Sequence, residues 1–227
     1  MSIESIDSQF LLLLNGSESL YLDGVAMTLT SALTWVPLYI ALFIIVVRNN
    51  ESFVKILFIL LCAFLCILFS GITDEMIIKP LVGRWRPTWD PEIGYLVDVV
   101  DGYRETPYGF FSAHAANTFS IAVFMTLLMR SRLISISLVV WSLINCWTRL
   151  YLGVHFPGDI VAGLLWGTVV AVIIYLLFTR IERRIDSSTR RSYSRFTSTG
   201  YLKEDANIVM TVLILTIIYA LIRACVI

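Results

Sequence analysis

Charged residues are scarce in this sequence. Lysine, arginine, aspartate and glutamate make up 15% of its 227 residues, hydrophobic residues make up 58%, and the mean hydropathy is +0.81. A soluble domain has about 25% charged residues, so the surplus apolar surface here needs lipid to face. The net charge is zero, which gives no sign of a nucleic-acid partner. The composition therefore predicts a membrane protein.

Cysteine and histidine are also few. The four cysteines lie in apolar runs without the spacing of a metal site: Cys62, Cys66, Cys146 and Cys225. Small buried hydrophobic residues are the simpler interpretation of them. The two histidines are His114 and His155. The first ten residues contain no basic side chain, which argues against a cleavable signal peptide.

Apolar runs predict six transmembrane helices: 25–47, 56–73, 110–129, 133–148, 160–179 and 206–222. Residues 1–24 are too polar to span and predict an interfacial amphipathic helix, and Pro37 predicts a kink in the first span. We expect one all-α domain over 1–227, a polytopic helical bundle. It comprises an interfacial segment (1–24), spans one to five with the catalytic loops (25–179), a basic loop (180–205) and the sixth span (206–227).

The basic residues are divided unequally between the two sets of loops. Loops 48–55, 130–132 and 180–205 carry 11 lysines and arginines, and the other face carries six. Cytoplasmic loops carry the excess of positive charge, so loop 180–205 is predicted to be cytoplasmic. Binding of anionic lipid headgroups is its alternative role. The opposite face, with both termini, is then predicted to face the periplasm of a bacterial inner membrane.

Three cations lie near the ends of predicted spans, namely Lys79, Arg86 and Arg149. Charge at such positions is costly unless it is paired or functional, and the planar guanidinium of arginine suits phosphate oxygens. Snorkelling to the interface explains any one of them alone. Because both histidines lie on the same predicted face, the set as a whole favours a phosphate site.

The second candidate group is His155 with Asp159, four residues later. On a helical turn the two share a face, so the carboxylate can hold one ring nitrogen and leave the other free as nucleophile or base. Helix capping is the alternative role for Asp159. A structural imidazole is the alternative for His114, which follows Ser112 at the start of the third span.

Three motifs resemble those of the type 2 phosphatidic acid phosphatase (PAP2) family in order and in spacing. They are Lys79-x6-Arg86-Pro87, Ser112-Ala113-His114 and Arg149-x5-His155-x3-Asp159. Phe111, Ala113 and Thr148 replace the proline, glycine and serine that this family usually has. Ala113 keeps a small side chain, and Thr148 keeps a hydroxyl. The sequence therefore retains every side chain that the resemblance implies is catalytic.

The resemblance implies a six-helix membrane phosphatase that needs no metal and no other cofactor. It implies that the phosphate is bound by Lys79, Arg86, Ser112, Ala113 and Arg149. It further implies that His155 attacks phosphorus to form a phosphohistidine and that Asp159 orients the ring. His114 would protonate the leaving oxygen and later activate water.

Six spans imply a substrate with its phosphate at the interface and its tails in the bilayer, so the expected partners are this lipid and the surrounding membrane lipids. Residues 83–117 look most like bacterial lipid A phosphatases of the family, which makes lipid A the expected substrate. Undecaprenyl diphosphate comes next, followed by phosphatidylglycerol phosphate and phosphatidic acid. Aromatic residues in 74–110 form an interfacial belt or a platform for a sugar. Arg84 and Arg104 are expected to be surface cations.

Other classes of protein fit the sequence less well. A transporter would show charge in mid-span or paired broken helices, whereas these spans are apolar at their centres. A purely structural membrane protein has no need of the histidine and arginine spacing. Vanadium haloperoxidases share the motifs but are soluble. An acid phosphatase of soluble esters remains the nearest enzymatic alternative.

Overall fold

The chain folds as a bundle of α-helices. The computed structural model describes residues 3–185 and 195–226, so residues 186–194 of the predicted basic loop lie outside the described range. Over the described residues there is no β-strand, only isolated bridges between Trp85 and Tyr108 and between Phe196 and Leu202. The predicted all-α class is confirmed.

Nine α-helices form in the described residues: α1 (Ile3–Leu14), α2 (Leu20–Thr30), α3 (Val36–Arg48), α4 (Phe53–Ile72), α5 (Lys79–Val82), α6 (Ala113–Met129), α7 (Arg132–Tyr151), α8 (Pro157–Ile185) and α9 (Ala206–Arg223). Four segments are long and apolar enough to cross a membrane, namely Phe53–Val82, Arg132–Tyr151, Pro157–Glu182 and Lys203–Arg223. The bent pair α2–α3 makes a fifth. The described residues thus offer four or five candidate spans where the sequence predicts six.

The predicted third span corresponds to α6, which is shorter than the other long helices, α4, α7, α8 and α9. Its 17 residues extend over only about 25 Å. Helices α4, α7 and α8 pack around it, and a large share of its side chains is buried. Helix α6 is therefore the centre of the bundle, and its first turn reaches the functional site.

The predicted first span is broken, and the break precedes Pro37. Helices α2 and α3 meet at 68°, and Pro37 lies in the first turn of α3, where its missing N–H is no loss. Two side chains satisfy carbonyls at the end of α2. Thr34 donates to the Thr28 carbonyl at 2.6 Å, and the Trp35 indole donates to the Leu29 carbonyl at 2.8 Å. The bend is therefore a hydrogen-bonded corner and not a proline kink.

The predicted second span continues well beyond residue 73. A π-helical turn (Thr73–Ile78) joins α4 to α5, so one segment reaches from Phe53 to Val82. It ends at Gly83, whose φ of 58° is the left-handed conformation that favours glycine at a helix end. Lys79 therefore lies on the last turn of a long helix, not in a loop.

Two glycines let α8 approach α6 closely. A Cβ at Gly163 would lie 2.6 Å from the Ser112 carbonyl oxygen, and one at Gly167 would lie 2.5 Å from that of Ala116. Small residues allow helix backbones to approach closely in membranes. This contact brings the start of α8 against the start of α6.

Helix α1 has two different faces. Leu11 is fully buried in a small apolar cluster with Val97 and Phe156. Phe10 and Leu13, on the other side of the helix, are 56% and 80% exposed. The helix thus packs beside the loop that carries His155 and turns an apolar face outward.

Candidate active site

A cavity of about 360 Å³ lies at the end of the bundle where α5 ends, α6 begins and α7 connects to α8. The structure places five predicted site residues on its wall: Lys79, Arg86, Ala113, His114 and His155. The other three are buried and each adjoins a wall residue: Ser112, Arg149 and Asp159. All three sequence motifs therefore meet at one place.

His155 lies in the short connection between α7 and α8 and is 1% exposed. Its Nε2 is 2.7 Å from the Arg86 guanidinium, which can only donate. Nε2 is therefore the acceptor, and the ring proton lies on Nδ1. Burial, followed by the charges of Arg86 and Arg149, lowers the pKa of His155 well below its ordinary value. The ring is therefore a neutral imidazole on the cavity wall, and the Arg86 guanidinium occupies the lone pair of its Nε2.

Asp159 combines helix capping with a position beside His155. One carboxylate oxygen accepts the Phe156 backbone N–H at 2.9 Å, a capping arrangement for the first turn of α8. The same oxygen lies 3.5 Å from Nδ1 of His155. The other oxygen accepts from Arg84 at 2.7 Å. The capping interpretation is correct for one contact and leaves the other two unexplained.

Arg86 and Arg149 converge on a carboxylate that the sequence analysis did not single out, that of Glu105. Arg86 lies 2.9 Å from one Glu105 oxygen, and Arg149 pairs with the other. Arg86 also donates to the carbonyls of Thr106 and Val154 at 2.7 and 2.9 Å. Both guanidinium groups are therefore fixed in position and face the same anion.

Glu105 is an anion throughout the neutral range. Burial opposes its ionisation, but the charges of Arg149 and Arg86 outweigh burial and lower the pKa of Glu105 to about 2. The Tyr103 hydroxyl donates to the same carboxylate at 3.1 Å. A carboxylate held by two arginines beside His155 occupies the position that suits a phosphate group.

Lys79 is also paired with acidic side chains. Its ammonium lies 2.9 Å from a carboxylate oxygen of the fully buried Asp74 and also bonds Glu75. Both acidic residues belong to the π-helical turn that precedes Lys79, and such turns are frequent at functional sites. The turn thus aims Lys79 at the cavity and balances its charge.

The second motif forms the start of α6. Ser112 is the N-cap, with its hydroxyl accepting the Ala115 N–H at 3.4 Å and its own N–H donating to the Asp159 carbonyl at 3.1 Å. Its side chain is fully buried, so in this structure the predicted phosphate ligand serves the helix. Ala113 and His114 follow on the cavity wall, and the first turn presents backbone N–H groups there.

The departures from the family motifs have local explanations. Phe111 is buried against Trp166, with ring centroids 6.3 Å apart. The Thr148 hydroxyl donates to the Asn145 carbonyl of its own helix at 2.7 Å. Neither Phe111 nor Thr148 is among the described residues that line the cavity. The departures at Phe111 and Thr148 therefore alter the packing around the site, and Ala113 is the departure that lies on its wall.

The predicted surface residues divide into two groups. Arg104 is exposed and lies over the Trp89 ring at 5.2 Å, as expected. Arg84 is half-buried between two carboxylates, so its predicted surface placement is wrong. Trp85 lies between Arg84 and Arg86 and pairs with Tyr108 through an isolated bridge, with the two ring centroids 4.9 Å apart and the rings tilted by 42°. Neither ring is among the described residues that line the cavity, which favours the interfacial belt over a sugar platform.

Comparison with known proteins gives a consistent result. The model of the PAP2 superfamily matches residues 59–183. A lipid A 4′-phosphatase of Bacteroides thetaiotaomicron is 38% identical over 189 residues, covering 82% of this chain and 83% of that protein. A lipid A 4′-phosphatase of Porphyromonas gingivalis is 30% identical over 184 residues, 80% of this chain and 77% of that protein. A lipid A 1-phosphatase of Rhizobium johnstonii is 27% identical over 118 residues, about half of each chain. No solved structure matches.

Proposed function

The chain belongs to the PAP2 superfamily, and from that membership we propose that it removes the 4′-phosphate of lipid A at the periplasmic face of a bacterial inner membrane. The observation that carries the proposal is the arrangement around His155. A neutral imidazole lies on the wall of a cavity that Lys79 and Arg86 also line, and its unprotonated Nε2 is 2.7 Å from the Arg86 guanidinium. The two lipid A 4′-phosphatases among its relatives support lipid A as the substrate.

The proposed membrane arrangement has six spans and an interfacial helix. The six spans are the pair α2–α3, the continuous segment α4–α5, and helices α6, α7, α8 and α9, with α6 as the short central one. Helix α1 lies at the interface. Exposed Phe10 and Leu13 on α1 support this placement. The excess of basic residues in the loops opposite the site supports a periplasmic cavity.

In the first proposed step, the Arg86 guanidinium exchanges its hydrogen bond to Nε2 of His155 for one to a phosphoryl oxygen. The freed Nε2 lone pair then attacks the phosphorus atom. The bond from phosphorus to the lipid oxygen breaks, and His114 gives that oxygen a proton. Lys79, Arg86 and Arg149 stabilise the charge that develops on the phosphoryl oxygens. Asp159, 3.5 Å from Nδ1, stabilises the ring as it becomes positively charged.

In the second proposed step, water attacks the phosphohistidine. His114, now without its proton, accepts one from the water. The nitrogen–phosphorus bond breaks, and orthophosphate leaves while His155 returns to a neutral ring. The three cations act on the phosphoryl group in both steps, so the mechanism requires no metal ion.

The proposal is tested by phosphate release from the purified full chain in detergent with EDTA present. The panel is lipid A, undecaprenyl diphosphate, phosphatidylglycerol phosphate, phosphatidic acid and a soluble phosphate ester. We expect release from lipid A, with mass spectrometry placing the loss at the 4′ position. Loss of the 1-phosphate, preference for another lipid, or activity only with added magnesium would contradict it.

The Glu105 carboxylate is expected to compete with phosphate for Arg86 and Arg149. In Glu105→Gln the competing charge is gone, so orthophosphate should inhibit more strongly, with an inhibition constant lower by about tenfold for one screened charge. The measurement is orthophosphate inhibition of lipid A hydrolysis.

The control is Glu92→Gln, which removes an exposed carboxylate from the same connection and should leave the inhibition constant unchanged. Unchanged or weaker inhibition in Glu105→Gln would show that Glu105 does not compete with phosphate.

A further inference from the structure

Arg84 links the active site to the N-terminal helix. Its guanidinium lies between two carboxylates, with one nitrogen 2.7 Å from Asp159 and another 2.6 Å from Asp7. The guanidinium also lies over the Phe156 ring at 4.3 Å. Two ion pairs and one ring contact leave this arginine a single orientation, and Asp159 has no other cation within salt-bridge distance in the described residues.

Asp7 contacts the same region a second time. Its other carboxylate oxygen accepts the Gly158 backbone N–H at 2.8 Å, at the start of α8. The Asp7 side chain is 11% exposed, and Leu11, one turn later on α1, is fully buried beside Phe156. Helix α1 is therefore fastened to the segment between His155 and Asp159 by both charge and apolar packing.

The contacts form a continuous series from α1 to the ring of the nucleophile, His155. Asp7 holds Arg84, Arg84 holds one oxygen of Asp159, and the other oxygen of Asp159 lies 3.5 Å from Nδ1 of His155. An error of about 1 Å in the placement of a catalytic group costs on the order of 100-fold in rate. Arg84 fixes the carboxylate that orients the nucleophile, although its own contacts are with protein groups.

We propose that Arg84 and Asp7 are positioning residues that hold the Asp159 carboxylate against His155, which makes the N-terminal helix part of the catalytic apparatus. The inference rests on the phosphatase activity proposed above. The alternative is that the two ion pairs only fasten α1 to the bundle. The alternatives differ in what the variants do to kcat and KM.

The experiment compares Arg84→Ala, Arg84→Lys, Asp7→Asn and the unmodified full chain in lipid A hydrolysis. We expect kcat of Arg84→Ala to fall about 100-fold with KM changed by less than about twofold, because a positioning group acts on the transition state and not on binding. Arg84→Lys should recover part of kcat, because one ammonium can still bond Asp159. Asp7→Asn should lose about tenfold.

The matched control is Arg104→Ala, which removes an exposed arginine from the same connection and should leave kcat unchanged. A raised KM with normal kcat in Arg84→Ala would mean that Arg84 binds substrate, and normal values of both would mean that it only fastens α1. Either result overturns the proposal. If Arg84→Ala does not fold, Arg84→Lys and Asp7→Asn decide by the same criteria.

A second readout separates this proposal from the choice of substrate. Orthovanadate mimics phosphate, and its affinity, measured by calorimetry, depends on an oriented His155 but not on turnover. We expect Arg84→Ala to bind vanadate more weakly than the unmodified chain, by about tenfold or more. If the unmodified chain binds vanadate but hydrolyses no lipid, the substrate proposal fails while the positioning proposal is still tested. Equal vanadate affinity in both proteins would overturn the positioning proposal.

Discussion

We expect His155→Ala to abolish phosphate release, lowering its rate by roughly 10⁴-fold or more, as in other enzymes that lose a nucleophile. The reason is that no other side chain described around the cavity can replace His155 as the nucleophile. His114 is the second histidine of the chain, and the carboxylates around the cavity are paired with Lys79, Arg86 and Arg149. The measurement is a single turnover with labelled substrate, in which the unmodified chain should form an acid-labile phosphohistidine and the variant none.

Removal of a buried side chain can also disturb folding, so the matched variant is His155→Gln, which keeps hydrogen-bonding atoms at the site. It should be equally inactive while its thermal unfolding stays close to that of the unmodified chain. Labelled phosphate on the His155→Ala protein would place the nucleophile elsewhere. Unimpaired hydrolysis by either variant would reject the proposed mechanism.

Part of the geometry of the candidate site can be predicted from the sequence, because some of its residues are close together in the chain. His155 lies just before α8, and Asp159 lies in the first turn of that helix, where its carboxylate accepts the Phe156 N–H. The separation of four residues therefore reflects the start of a helix. Arg149 lies on the last turn of α7. Local geometry therefore places Asp159 within reach of His155 and puts Arg149 one short connection away.

The residues that the sequence analysis missed come together only through the tertiary fold. Glu105 reaches Arg149 across 44 positions, and Asp7 reaches Arg84 across 77. The connection around Glu105 has no helical or strand periodicity to indicate which carboxylate turns inward. Charged residues are also mostly found on protein surfaces, so the residue types alone do not indicate that Arg84 and Glu105 turn inward. Pairing at such separations depends on the packing of α1 and of residues 83–112, which composition does not specify.

The fold shows a similar division. Long apolar runs correctly predict helices, but the break between α2 and α3 depends on side chains of Thr34 and Trp35 that bond carbonyls six residues earlier. The extension of α4 through a π-helical turn to Val82 likewise crosses Asp74 and Glu75, whose charge suggests a loop. Lys79 balances that charge. Ion pairs with Lys79 therefore stabilise a helix where the hydropathy of the sequence predicts a loop.

The second large effect is expected for His114→Ala, which should lower turnover of lipid A by about 10³-fold, within the usual range for loss of a general acid and base. His114 lines the same cavity as His155 and serves both proposed steps. With an activated ester, whose leaving group needs no proton, the first step should survive in the variant while hydrolysis of the phosphohistidine stalls. Rapid mixing should then show a burst of one equivalent of alcohol followed by slow turnover.

That burst distinguishes a group that moves protons from one that binds phosphate. Lys79→Ala is the matched control, because loss of a phosphate-binding cation should slow the first step as well and abolish the burst. If His114→Ala also shows no burst with the activated ester, His114 acts in binding or in structure, and the proton must come from another group. If it hydrolyses lipid A at the normal rate, the acid–base role is rejected. A burst with the activated ester and none with lipid A therefore requires that His114 both donate the proton to the leaving oxygen and activate the water.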